Sequence, residues 1–238
     1  MQGAVVALDQ LIATCAREYF PERGCSVGLA HTLYRRKQAS VLMERMYASR
    51  GYQTDVIAKL PLNSNRTTLE VSGGARLFGT AMVGIDSEHG LFADTLYSEE
   101  LRWLRMKGCK LSEVSNLAVD PQHGSKEVLA SLFHLVYIMV RIIHKATEII
   151  IEVNPRHAAF YERRLGFRQF GDARTCPRVN APAVLLRIEL AYMDAQIAKH
   201  AGVHESKERS LYPYFFTNCE AERVVNMVAQ TDMLAQAA

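Results

Sequence analysis

Between residues 111 and 190 short apolar runs flank one long apolar segment. Leu111-Ser-Glu-Val-Ser-Asn-Leu-Ala-Val-Asp120 has the pattern of a strand. Ser125 to His144 predicts a helix that is apolar on nearly every side, through Val128, Leu129, Leu132, Phe133, Val136, Met139, Val140 and Ile143. A helix of that kind is buried on both faces. Glu148 to Val153 is a second strand pattern. Strands joined by a helical crossover form a right-handed βαβ unit with parallel strands. A short helix within Asn154 to Phe167 follows, then a Pro-containing loop over Arg174 to Pro182 and a last strand over Ala183 to Leu190.

Upstream, Gln2 to Tyr19 predicts an amphipathic helix ended near Pro21 and Gly24. Thr32 to Arg50 predicts a second helix with Gly51 as its C-terminal cap. Thr67 to Ser72 and Arg76 to Ile85 read as strands joined by a hairpin turn at Gly73-Gly74. Glu99 to Met106 is a short helix carrying the single tryptophan, Trp103. After Ala191 the pattern becomes helical, over Tyr192 to Ala201 and Asn218 to Met233. Thr217-Asn-Cys-Glu220 has the spacing of a capping box for the last helix. These patterns divide the chain into an α/β domain over 1–191 and a helical extension over 192–238 packed on it.

Composition narrows the picture. The 238 residues are 49% hydrophobic and 22% charged, enough to bury a real core. A net charge of +3 does not call for nucleic acid. Five scattered cysteines, with no CxxC pair, argue against a zinc knuckle or redox dithiol and for reduced thiols in the cytoplasm. The eight histidines form no HExxH or HxH pair, so no metal is expected. No apolar run approaches the ~20 residues that span a bilayer, and Met1 to Ala13 lacks the basic start of a signal peptide.

Two motifs carry a resemblance. Asn154-x-x-x-Ala-x-Phe-Tyr-x-x-x-Leu-Gly-Phe167, following the strand–helix–strand order, resembles the acyl-transferring half of the GNAT fold. That resemblance implies a mixed central sheet whose splayed parallel strands hold a pantetheine thioester. GNAT enzymes place a Gln/Arg-x-x-Gly-x-Gly/Ala loop ahead of the buried helix, to cradle the diphosphate of coenzyme A. Here the loop is Gln122-His-Gly-Ser-Lys-Glu127. Gln122 fits, but Ser125 and Glu127 stand at the small positions, and a carboxylate in the first turn occupies the electropositive spot a phosphate would take. The expected donor arm is therefore the 4′-phosphopantetheine of an acyl carrier protein, with no tightly bound cofactor. Arg76-Leu-Phe-Gly-Thr80 and Glu113-Val-Ser-Asn-Leu-Ala-Val-Asp120 are similar to the acyl-homoserine lactone synthases. Glu113, Ser115 and Val119 match that motif, while Asn116 replaces its Arg and Ser112 its aromatic residue, against S-adenosylmethionine as acceptor. Residues 20 to 200 are closer to the N-acyl amino acid synthases that make long-chain N-acyl tyrosines.

The resemblance gives each candidate a role. Glu113 is the general base, since an α-amino group must lose a proton before attacking a thioester. By period-two alternation it shares a strand face with Ser115, Leu117 and Val119. The backbone at Leu117 and Ala118 polarises the thioester carbonyl, and Tyr161 protonates the leaving thiolate. Asn154 bonds the pantetheine arm, or caps an Asx turn before Pro155. Arg76 forks the acceptor carboxylate. Phe78, Phe92, Trp103 and Phe133, with Leu132 and Met139, line an acyl tunnel or serve as ordinary core, and Ser115, Asn116 and Val119 complete the substrate site. Arg35, Arg36 and Lys37, and Arg163 and Arg164 with Lys126 and Gln122, form a rim that steers an acidic carrier, or else solvated helix faces. No cysteine lies on the strands flanking the cleft, so direct attack is expected rather than an acyl-enzyme. The expected reaction moves a long acyl chain from acyl carrier protein to the α-amino group of tyrosine or another apolar or aromatic amino acid. Acetyl transfer from acetyl-coenzyme A, and a non-catalytic module that binds an acyl carrier, are the alternatives.

Overall fold

The computed structural model describes residues 17–53, 65–203 and 208–236. The helix expected over Gln2 to Tyr19 lies largely outside these residues, and its end is a strand instead, β1 (Arg17–Phe20). Phe20 decides this: it is fully buried and stacks on Phe216 with ring centroids 5.0 Å apart. A single 3-10 turn at Pro21–Arg23, closed by Gly24 at φ 61°, returns the chain into β2 (Cys25–Leu29).

Strands β3 (Arg66–Gly73) and β4 (Arg76–Ile85) form the expected hairpin, with Gly74 at φ 57° in its turn. They are followed by β5 (Leu111–Val119), β6 (Glu148–Val153), the short β7 (Arg168–Gln169) and β8 (Arg174–Cys176), and β9 (Ala181–Glu189). The sheet order is β1-β2-β3-β4-β5-β6-β9-β7, with β8 also pairing β9. Among the described strands only β5 and β6 are parallel, and their ladder runs from Leu111↔Glu148 to Glu113↔Ile150 and stops. Beyond that point both strands continue unpaired with one another, and the sheet opens into a wedge.

Helix α1 (Leu33–Ala48) is capped by the Thr32 side chain, which accepts from the Arg35 amide. Helix α2 (Asp94–Met106) begins five residues before the expected Glu99. Helix α3 (Lys126–Tyr137) is capped by Ser125 and runs on as a π-helical turn at Ile138–Ile143. Helix α4 (Pro155–Leu165) starts at the Asn154 cap and ends at Gly166, φ 87°. Helices α5 (Leu190–His200) and α6 (Asn218–Gln236) complete the chain.

The long apolar segment is buried on both faces, as its pattern requires. One side of α3 packs on β2, β3 and β4, and the other meets the segment around Tyr212 to Phe216. There Phe215 and Phe216 stack on His134 at 4.7 and 4.9 Å, and the Phe216 amide donates to His134 Nδ1 at 2.8 Å. Burial pushes His134 down to about 3, so its ring is neutral and free to accept. Arg23 ties the same segment down. It donates to both Glu220 carboxylate oxygens at 2.8 and 3.0 Å and to the carbonyls of Tyr214 and Phe215. The capping box forms: Thr217 N donates to Glu220 Oε2 at 2.7 Å, and Glu220 N to Thr217 Oγ1 at 3.3 Å. Among the described residues no helix is long and apolar enough to cross a membrane.

Candidate active site

The wedge between β5 and β6 is the mouth of a cleft with about 990 Å³ of empty space, counted out to its opening. Its walls come from β5 (Glu113 to Leu117), β6 (Ile151 to Val153), α3 (Phe133), α4 (His157, Tyr161), the end of α1 (Tyr47, Arg50) and the segment Cys176 to Ala183. A bulge shapes the β5 wall. The β4–β5 register slips between Thr80↔Ala118 and Met82↔Ser115, and Asn116 takes a left-handed φ of 51°. Asn is among the few non-glycine residues that tolerate this conformation. The slip breaks period-two alternation. Glu113, Ser115, Asn116 and Leu117 line the cleft. Val119 does not: it packs beside Gly79 and Gly124. Ala118 is buried against Ala39, Leu42 and Met43 of α1.

Glu113 sits at the end of the parallel ladder, 1% exposed. Its Oε2 accepts from the Phe92 amide at 2.7 Å and its Oε1 from the Ala93 amide at 2.9 Å, so it also anchors the start of α2. Burial pushes it up to about 7, against the pull of Arg178 and the two amides. A carboxylate poised there takes and returns protons near neutral pH. Tyr161 meets Phe133, Phe160 and Phe167 edge-on, and burial raises its phenol far above the usual range, so it is a neutral hydroxyl. Its hydroxyl has no hydrogen-bond partner among the described residues. Asn154 lines the cleft and caps α4, accepting from the Arg156 amide at 3.2 Å, which is the turn expected before Pro155.

The cleft also holds charged residues that the sequence did not point to. Glu152 of β6 is ion-paired with Arg178, with side chains 6% and 17% exposed. The Cys176 thiol donates to Glu152 Oε2 at 3.7 Å. No cysteine sits on β5 or β6, but Cys176 reaches the cleft from β8. Arg178 comes from a Pro-containing loop and Cys176 from a three-residue strand, where no periodicity marks a site, and Glu152 ends a strand whose pattern marks only its apolar positions.

Other expected positions lie away from the cleft. Arg76 is half exposed, donates to Gln122 Oε1 at 2.8 Å and pairs with Asp120 at 3.4 Å. It borders a separate surface groove with Tyr34, Lys37 and Arg45. Phe78 stacks on His123 at 4.9 Å. Trp103 is 45% exposed beside Phe170 and Lys107, because the exposed stripe of α2 carries it. Phe92 reaches the site only through its amide, while Arg66 and Arg178 lie over its ring, at 3.7 and 4.9 Å. Leu132 and Met139 are core. In the expected basic rim, Arg35 is spent on buried Glu70, shared with Arg17, and Arg164 donates to the Arg209 carbonyl. Arg36 is half-buried, while Lys37, Lys126 and Arg163 are exposed.

The loop before α3 is tight. A Cβ on Gly124 would meet Val119 Cγ1 at 2.7 Å and the Asp120 carbonyl at 2.9 Å. Ser125 accepts from the Val128 amide at 3.2 Å. Burial pushes Glu127 up, but hydrogen bonds from Ser125 and its own amide outweigh this and hold it below the usual carboxylate range. An ionised carboxylate thus occupies the first turn of α3.

The family model described as N-acyl amino acid synthase FeeM matches residues 38–189, well over half of the chain. The chain belongs to the N-acyl amino acid synthase family. The solved structure of FeeM, an N-acyl amino acid synthase from uncultured soil microbes, is 28% identical, with a TM-score of 0.66 over 70% of this chain and 92% of that one. An acyl-CoA N-acyltransferase from Pseudomonas aeruginosa is 11% identical, with a TM-score of 0.51 over 68% of this chain and 97% of its own. Escherichia coli ElaA gives 8% and 0.51 over 68% and 97%. The latter two share the fold alone. No curated protein sequence matches. This N-acyl amino acid synthase family member is therefore an N-acyltransferase of GNAT fold, with the mixed sheet and parallel pair that fold requires. Among the described residues no cluster of His, Cys, Asp and Glu could hold a metal ion.

Proposed function

We propose that this acyltransferase moves a long acyl chain from the 4′-phosphopantetheine of an acyl carrier protein to the α-amino group of tyrosine or another apolar or aromatic amino acid. The observation that carries the donor assignment is Glu127. An ionised carboxylate in the first turn of α3, with Ser125 at the cap, opposes the diphosphate of free coenzyme A. A carrier-borne arm brings one phosphodiester held outside the cleft. The apolar wall of Leu117, Phe133, Ile151 and Val153 suits an aliphatic thioester.

In this reading the acceptor ammonium gives a proton to Glu113, and the free amine attacks the thioester carbonyl carbon. The oxygen takes the charge of the tetrahedral intermediate beside the backbone of the β5 bulge at Asn116 and Leu117. The C–S bond then breaks, Tyr161 protonates the departing thiolate, and the amine nitrogen sheds its second proton to solvent. The test compares purified enzyme on an acyl carrier thioester and the matching acyl-coenzyme A, with tyrosine as acceptor and mass-spectrometric detection of N-acyl tyrosine. Turnover at least tenfold faster with the carrier thioester is expected. Equal or faster turnover with coenzyme A overturns the donor assignment.

A further inference from the structure

We infer that Glu152 and Arg178 form the head-group site of the acceptor, with Glu152 receiving the α-ammonium and Arg178 the α-carboxylate. This rests on the amino-acid acyltransferase reading above and names the residues that would make it specific for α-amino acids.

The argument begins with an incomplete ion pair. Glu152 projects from β6 into the cleft wall with its side chain more than nine-tenths buried. Its Oε2 is satisfied by Arg178 and the Cys176 thiol. Its Oε1 is buried with no hydrogen-bond partner among the described residues. Leaving a buried carboxylate oxygen unbonded is costly, and a ligand that donates to it removes that cost. Burial raises the Glu152 carboxyl, and Arg178 pulls it back toward the ionised form.

Arg178 supplies the complementary half. It engages Glu152 through Nη2 and also bonds the Cys176 sulfur, and among the described residues no oxygen outside Glu152 takes up the rest of its fork. The guanidinium lies over the Phe92 ring at 4.9 Å, which holds the fork in a fixed plane. One open acceptor beside one open planar donor set has the polarity of an α-amino acid zwitterion. A carboxylate on Arg178 and an ammonium at Glu152 Oε1 would complete both buried charges together. Arg76, the arginine expected for this task, lies outside the cleft and is occupied by Gln122 and Asp120. The placement also suits the chemistry. Glu113 lies in the same cleft, close enough for the Arg178 and Glu152 charges to act on it, so an ammonium at Glu152 is held near the proposed proton acceptor. Glu152 and Arg178 are thus binding groups that orient the amine.

The experiment measures kcat and KM for tyrosine and tyramine, which differ only in the α-carboxylate, with a fixed acyl carrier thioester. Wild-type enzyme should prefer tyrosine in kcat/KM by roughly 10²-fold, the scale of losing one buried charged contact. The double variant Glu152→Gln/Arg178→Met removes both charges without stranding either one. It should raise the tyrosine KM at least tenfold and erase most of the preference over tyramine, while the KM for the donor stays within about twofold. A folded double variant with wild-type tyrosine KM and preference overturns the assignment. Should that variant fail to fold, Arg178→Lys keeps the buried charge pair and removes the planar fork. An unchanged tyrosine KM in Arg178→Lys then overturns it equally. A wild type that acylates no α-amino acid overturns the underlying acceptor reading and the pair with it. A wild type that acylates tyrosine but ignores these substitutions removes the pair alone.

Discussion

Replacing Glu113 by Gln separates two effects of one carboxylate. Glu113 holds the Phe92 and Ala93 amides at the start of α2, and it is the proposed base. Burial lifts it from an ordinary 4.5 to about 7, so its ionised form destabilises the fold. At about 1.4 kcal/mol for each tenfold change in proton affinity, the cost is about 3 kcal/mol once the pH is above 7. The native state holds this proton more tightly than the unfolded chain. Stability from this residue is therefore greatest below the unfolded value and declines as pH rises through about 7. Gln carries no charge, but its amide nitrogen cannot accept. One of the two backbone N–H groups is then orphaned, at about 1–3 kcal/mol. At pH 8 loss and relief nearly offset, and at pH 5 only the loss remains. Denaturant unfolding at pH 5, 6, 7 and 8 reads this directly: the variant should lose the Glu113 share of the decline with pH. Turnover should fall by ~10² to 10⁴ near neutral pH, and the defect should shrink at higher pH as free amine forms unaided. A variant that keeps the full wild-type decline refutes the burial argument. Near-wild-type turnover at pH 7 removes Glu113 as the base.

Three other predictions concern the C-terminal segment and the carrier. Arg23→Met should destabilise the protein by about 3–5 kcal/mol, because it strands a buried Glu220 and frees the Tyr214 and Phe215 carbonyls; thermal unfolding measures this. Against its burial, hydrogen bonds from Arg23 and the Thr217 amide hold Glu220 at about 2. The stability it contributes is thus present above the ordinary carboxylate range and lost as pH falls through about 2, a decline that Glu220→Gln should abolish in acid unfolding curves. Arg163→Glu with Lys126→Glu should raise the KM for the acyl carrier several-fold and flatten its salt dependence, with kcat little changed, because both side chains are exposed cations. An effect on thermal stability alone would make them structural.

Apart from the short β7 and β8, the order of strands and helices from Thr32 to Leu190 was legible because each of these elements buries a face, and its apolar period survives in the sequence. β1 was not: Arg17–Phe20 is four residues long, and its assignment depends on Phe216, almost 200 positions away. The bulge at Asn116 was hidden for a related reason. Its pattern reads as unbroken alternation, and only the slip against β4 reveals two residues facing one. That Glu113 and Tyr161 line one cleft was legible because both lie in motifs around the parallel pair. Arg178 was missed and Arg76 favoured because a strand arginine beside a hairpin looks placed, whereas one in a Pro-containing loop does not. Pairing of β8 with β9 carries Cys176 and Arg178 to the cleft, and short-range periodicity cannot encode that.

The three-residue ladder between β5 and β6 has a mechanical consequence. Past Glu113 and Ile150 two strand edges diverge, each already paired on its far side, to β4 and to β9. The sheet is thus two plates joined at one corner, and the helices packed across it set the angle of opening. A linear guest carrying its own amides, lying between those plates, would be read as a missing strand, through main chain on both sides. Recognition of that kind is indifferent to most side-chain replacements. Drift along β5 and β6 can therefore alter what the cleft accepts at its ends while leaving the grip on the guest's backbone unchanged.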